Sequence, residues 1–152
     1  MRVRVLIADP EEYLLDLWRN YLERHDYEVH TAVNGLECVS KLRECGADVL
    51  VLEPAIPWGG GDGVLARMNE EPDIPRVPVI VLTYGRDQGV LYRLAPFRVR
   101  DYQRKPMPLR RLEECIRNVA ASDSAVTTQS QEGCLLLGDA AAGWERSHRR
   151  EA

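Results

Sequence analysis

With 152 residues, 45% of them hydrophobic and 29% charged, the chain has room for one ordinary domain with a real core. It has no apolar run of the eighteen residues a membrane span needs, and Met1-Arg2-Val3-Arg4 enters a strand rather than a secretory leader, so the expected location is the cytoplasm. A net charge of −4 argues against a generally basic nucleic-acid binder, but residues 1–85 hold 8 Lys and Arg against 15 Asp and Glu, whereas 86–117 hold 9 against 4.

Taken in order, Arg2–Ala8 alternates and then turns wholly apolar, which reads as a strand entering a core. Asp9-Pro10-Glu11-Glu12 reads as a helix start, with Asp9 as the cap and Pro10 in the first helical position. Leu14, Leu17, Trp18, Tyr21 and Leu22 then fall on one face. Tyr27–Ala32 is a short strand, and Asn34-Gly35 opens a helix with Leu36, Val39 and Leu42 turned inward. Cys38 and Cys45 share that helix as small hydrophobes, and no two of the four cysteines have metal or redox spacing.

The third strand, Ala47–Leu52, has the continuous apolar character of a parallel strand covered on both faces, and Glu53 stands at its end. A third helix is expected from about Gly63, stopping before Pro72 and Pro75. Val77–Leu82 is a fourth buried strand ending at Thr83. A helix over Asp87–Leu94 follows, then a polar edge strand over Arg98–Arg104. After Lys105-Pro106, Leu109, Leu112, Ile116 and Val119 mark a last helix. Alternating strands and helices predict an α/β domain with a parallel sheet. From Ser122 the composition is polar and linker-like, apart from Cys134–Leu137 and Trp144.

Strands ending at Asp9, Glu53, Thr83 and Lys105 place four chemical groups at one edge of such a sheet, where α/β folds hold ligands. With Lys105-Pro106, with Tyr102 three residues before the lysine, and with Pro57 four residues after Glu53, this spacing resembles the receiver domain of bacterial two-component response regulators. The resemblance covers about residues 1–121 and implies a flavodoxin-like (βα)5 fold with a doubly wound, five-stranded parallel sheet. Residues 122–152 are left as a tail, expected to be partly disordered. It assigns Glu53 the phospho-acceptor position, Asp9 one place of a metal-binding acidic pair, and Thr83 and Lys105 the phosphate-contact positions. Tyr102 takes the place of the aromatic switch, and the Lys105–Pro106 bond is expected to be cis.

Two departures from the family pattern fall on the chemistry. Pro10 stands where the second acid belongs and offers no side-chain oxygen, leaving Asp9, Glu53, the Ala55 carbonyl and neighbouring Glu11 as weak magnesium ligands. No metal or other cofactor is therefore expected. Glu53 replaces the acceptor aspartate and carries its oxygens farther out by roughly 1.5 Å, enough to impair a reaction that depends on positioning. Glu53 is a candidate standing substitute for the phosphorylated acceptor, or simply the ion-pair partner of Lys105. The loop from Pro57 to Gly63 is longer than usual in the family, and Trp58 in it is either a lid on the pocket or a partner contact. Tyr84, bulky where the family has a small residue, is expected to crowd the pocket.

The reading that follows is a non-enzymatic, receiver-like signalling domain acting by protein–protein contact. Its expected interaction face carries Arg93, Arg98, Arg100, Arg104, Arg110 and Arg111, suited to carboxylates of an acidic partner or of a histidine-kinase pathway component. A second copy could use the same face, formed by the fourth helix, fifth strand and fifth helix. The alternatives are an active phosphorelay receiver, and nucleic-acid binding through the basic 86–117 stretch, which the absence of a helix-turn-helix pattern disfavours.

Overall fold

Alternation within the strands decides how the layers form. The computed structural model describes residues 2–85 and 88–129. Its elements are β1 (Arg4–Ala8), α1 (Glu12–Glu23), β2 (Glu28–Ala32), α2 (Gly35–Glu44), β3 (Val49–Leu52), α3 (Gly60–Glu70), β4 (Val79–Thr83), α4 (Gln88–Leu94), β5 (Val99–Arg104) and α5 (Leu109–Gln129). The five strands are parallel, in the order β2-β1-β3-β4-β5.

Leu6, Ala8, Leu50, Leu52, Val79 and Val81 point to one side of the sheet and pack with Cys38, Val39 and Leu42 of α2, Val64, Leu65 and Met68 of α3, and Leu94 of α4. Their sequence neighbours Val5, Ile7, Val49, Val51, Ile80 and Leu82 point the other way, to Leu15, Trp18 and Leu22 of α1 and Leu112 and Ile116 of α5. The central strands are buried on both faces, as their unbroken apolar runs require. β5 lies at the edge and alternates half-buried with exposed residues. A register shift opposite Val79 and Ile80 leaves Arg100 as the extra residue of a bulge in β5.

Several boundaries differ from the sequence reading. α1 starts two residues later than expected, with Glu11 rather than Asp9 at the N-cap. Its buried stripe is Leu15, Trp18 and Leu22, and Leu17 is exposed. In α2, Asn34 is the cap, its side chain accepting from the Glu37 amide, but Leu36 is 59% exposed and Cys38 takes the inward place. α3 begins at Gly60, three residues before the expected start, with Gly59 in the left-handed region at φ 97°. α5 continues through 122–129, where the polar composition suggested a linker. Arg86, Cys134–Leu137 and Trp144 lie outside the described residues.

The loop after β3 is pinned by a close backbone approach. The Gly35 amide donates to the Pro57 carbonyl at 2.9 Å, and a Cβ at Gly35 would collide with the Trp58 carbonyl oxygen. Gly35→Ala is therefore expected to destabilise the fold by about 1–3 kcal/mol, read as a lower urea midpoint. An unchanged midpoint would mean that the α2–loop contact gives way freely.

Candidate functional site

Each site residue stands one step beyond a strand or at its last position, and the sheet's hydrogen-bond ladder carries on to hold it. The Asp9 amide donates to the Ala32 carbonyl at 3.0 Å, the Glu53 amide to Ala8 at 2.9 Å, and the Lys105 amide to Thr83 at 2.9 Å. The backbones of Asp9, Glu53, Thr83 and Lys105 are thus fixed by strand pairing before any side-chain contact is considered. The Lys105–Pro106 peptide is cis.

Three of these side chains form a buried charge triad. Lys105 Nζ lies 2.7 Å from Asp9 Oδ2 and 2.9 Å from Glu53 Oε2, and the side chains of Lys105, Asp9 and Glu53 are 3%, 2% and 6% exposed. The contact to Asp9 is an aligned hydrogen bond. The one to Glu53 Oε2 is an ion pair without hydrogen-bond alignment. Burial works against the Lys105 ammonium, but Asp9 and Glu53 outweigh it and hold its pKa above the ordinary lysine value of 10.5.

The remaining oxygens are occupied as well. Asp9 Oδ1 accepts the Glu11 amide at 2.8 Å, so Asp9 does turn the chain into α1, although it is not the cap. Glu53 Oε1 accepts the Thr83 hydroxyl at 3.0 Å and the Ala55 amide at 3.2 Å. The Gly85 amide donates to Thr83 Oγ1 at 3.1 Å, which ties the segment after β4 to the same carboxylate.

A cleft of about 290 Å³ opens over this triad, lined by Pro10, Glu11, Glu53, Ala55, Thr83, Tyr84 and Lys105, with Val90 and Leu91 of α4 completing its wall. Val90 and Leu91 were not singled out in the sequence, because apolar residues on a short helix carry no chemical signal. Tyr84 sets its ring 4.6 Å from Lys105 Nζ, a cation–π distance, so it crowds the cleft as expected. Trp58 does not lid this cleft. It is 70% exposed and lines a separate groove with Gly35, Leu36, Val39 and Val64, between α2 and α3. The early start of α3 carries the loop there.

Magnesium requires near-octahedral oxygen ligands at about 2.0–2.1 Å. Both Asp9 oxygens already have partners, Glu53 Oε1 accepts two hydrogen bonds, Lys105 stands between the carboxylates, and Pro10 adds no donor. Among the described residues no group of three His, Cys, Asp or Glu converges on one point. The residues present do not fit the ion.

Arg93, Arg98, Arg100, Arg104, Arg110 and Arg111 are all exposed, with Arg93 3.6 Å from Asp62 and Arg110 3.6 Å from Glu114. Tyr102 shares the outward side of β5 with Arg100 and Arg104 and is 45% exposed. Glu113 of α5 is buried. It accepts the Tyr27 hydroxyl at 2.7 Å and pairs with Arg117 at 3.1 Å. No helix among the described residues is long and apolar enough to cross a membrane.

Over residues 5–117 the chain matches the family described as the response regulator receiver domain. It is 30% identical over 106 residues to the phosphate regulon transcriptional regulatory protein PhoB of Rhizobium meliloti (strain 1021), a match covering 70% of this chain and 47% of that one. It is 26% identical over 114 residues to the polar-differentiation response regulator DivK of Brucella anthropi, covering 75% and 93%. The signal receiver domain of an HD domain-containing protein from Pseudomonas fluorescens Pf-5 superposes with a TM-score of 0.75 at 21% identity, covering 82% of this chain and 99% of that one. A sensor histidine kinase receiver domain from Pseudomonas aeruginosa PAO1, with magnesium coordinated in its active site cleft, gives 0.71 at 18% identity, covering 80% and 99%. These likenesses establish the flavodoxin-like fold. The chain spans 47% to 60% of the length of the three transcriptional regulatory proteins it matches.

Because the triad shares one positive charge, Lys105→Met is expected to cost about 3–5 kcal/mol at pH 8 by leaving buried carboxylates uncompensated. In the natural chain the raised Lys105 pKa makes its contribution fully present below the ordinary lysine value, and it is lost only as pH rises through the higher folded one. Urea titrations of both proteins at pH 8 check this; an unchanged midpoint in the variant would mean that the ammonium contributes nothing net to the fold.

Proposed function

The chain belongs to the response regulator receiver domain family, and from that premise we propose that it signals through protein–protein contact without phosphorylation at position 53. Receiver domains are signalling modules of two-component pathways. In this proposal residues 1–121 form the signalling unit, and no phosphoryl chemistry is assigned to it.

The observation that carries the reading is the Glu53 carboxylate. It already engages the Thr83 hydroxyl and faces the Lys105 ammonium, the two groups that the family resemblance assigns to phosphate contact. A glutamate carries about one negative charge where a phosphoryl group carries about −1.5 to −2, so it substitutes for the modified state in part. Tyr102 lies on the outward side of β5; in this reading the hydroxyl is engaged and the ring is not. The exposed arginines on β5 and its neighbours, Arg98 and Arg104 among them, supply the face for an acidic protein partner of the pathway.

The test is fluorine NMR with magnesium and beryllofluoride, on the natural chain and on a Glu53→Asp, Pro10→Asp double variant. The natural chain is expected to give no bound-fluoride signal and the double variant to give one. A bound signal from the natural chain would overturn the reading and restore an active phosphorelay receiver.

A further inference from the structure

We propose that this chain associates with a second copy of itself, the Trp58 groove between α2 and α3 of one copy receiving the Tyr102–arginine stripe of β5 of the other. The inference rests on reading β5 as a protein-docking face and goes further, to the partner that this face meets.

Trp58 carries the first half of the argument. Its backbone lies in the left-handed region at φ 60°, followed by Gly59 at 97° and Gly60 at 67°. Glycine adopts that conformation freely, whereas a bulky side chain adopts it only at a cost. The indole gains no burial in return, since it is 70% exposed. It stands with exposed Leu36 on a groove of about 240 Å³, with Val39, Val64, Gly59 and Gly63 as further walls. A strained backbone that displays a large aromatic side chain beside an apolar groove marks a contact site.

Charge decides what fills the groove. The arginines of α2 and α3 are already engaged, Arg43 with Glu71 and Asp73, and Arg67 with Glu71. Asp62 is shared with Arg93 of α4 at 3.6 Å. The other charges on the two helices are Glu37, Glu44 and Glu70, all exposed, against Lys41, so the border of the groove is acidic. β5 presents the opposite. Arg100, Tyr102 and Arg104 alternate on its outward side, with Arg98 just before the strand, and all four are exposed. Alternate residues of a strand stand about 7 Å apart, so one ring projects with a guanidinium on either side. The ring suits a small apolar groove, while the guanidinium groups can stack on the indole and meet the border carboxylates. Setting two β5 stripes against each other would instead oppose arginine to arginine, which is unfavourable. The complementary surfaces are therefore unlike ones, met between copies.

The full chain is followed by sedimentation velocity at about 0.1 M and about 1 M NaCl, where charges are screened over roughly 10 Å and 3 Å. Trp58→Ala and a Tyr102→Ala, Arg104→Glu double variant are run beside it. The natural chain is expected to sediment as dimers or larger species at the lower salt and to shift toward the monomer at the higher. Each variant alone is expected to be monomeric. Mixed in equal amounts they are expected to associate, because the double variant keeps the groove and Trp58→Ala keeps the stripe. A natural chain that stays monomeric at the lower salt overturns the proposal, and so does a Trp58→Ala chain that associates like the natural one. A second measurement depends on no variant. Diluting the natural chain at the lower salt is expected to shift its tryptophan emission to the red as Trp58 returns to water, and an emission unchanged by dilution overturns the proposal. The two readings fail separately: a monomeric natural chain sinks this inference and leaves the beryllofluoride test untouched, whereas bound beryllofluoride sinks the phosphorylation-independent reading and leaves self-association standing.

Discussion

One ammonium group, closed off from water between two carboxylates, holds the working end of this domain together. Moving each ion out of water costs several kcal/mol, and the cost is offset only when the partners are close and their other oxygens are hydrogen-bonded. Lys105, Asp9 and Glu53 meet both conditions. They follow β5, β1 and β3, and Thr83 at the end of β4 donates into the same group. Four strand ends are therefore cross-linked through a single charge. Losing the lysine leaves two buried carboxylates without a counter-charge rather than a missing contact, so the chemistry of the site and the stability of this edge of the sheet are tied together.

The sheet brings these residues together at little extra conformational cost. Strand order places β1 and β3 side by side in the middle, where the crossovers run to opposite faces and α/β folds form their clefts. The ladder amides of Asp9, Glu53 and Lys105 extend the pairing beyond the strand ends, so each backbone is placed to within hydrogen-bond tolerance. Side-chain length then does the rest. Lysine reaches back from the edge of the sheet to its centre, and glutamate reaches outward from β3 far enough to touch both the hydroxyl and the ammonium.

What could be read from the chain alone was the part that period and spacing encode. Continuous apolar strands and four chemical groups at four strand ends were legible in this way, while the cis Lys105–Pro106 bond and the approach of Glu53 to Lys105 were what the family resemblance implied. The misses arise where tertiary packing chooses between local options. Asp9 has a capping side chain, but its second oxygen belongs to Lys105, and the helix starts later, with Glu11 as its N-cap. Leu36 and Leu17 fit a helical stripe by spacing, but the sheet selects Cys38 and Leu15 in their place. Gly59 in the left-handed region lets α3 begin at Gly60 and turns Trp58 toward α2, and no spacing argument distinguishes that from a loop over the cleft. α5 runs past Ser122 because a helix already docked through Leu112 and Ile116 extends through polar residues more easily than a new one nucleates.

The state of the two tyrosines follows from the same triad. Thr83 is drawn to Glu53, and through Thr83 Oγ1 the amide of Gly85 is drawn with it, so the start of the segment after β4 answers to the carboxylate at position 53. Tyr102 is not part of that chain of contacts. Tyr84 sets its ring beside Lys105 Nζ, and Tyr102 lies on the outward side of β5 with Arg100 and Arg104. The Thr83 hydroxyl is engaged while the Tyr102 ring is 45% exposed. In the proposed reading, a partner docking on β5 would meet this outward ring among arginines, a surface set by the alternation of the strand.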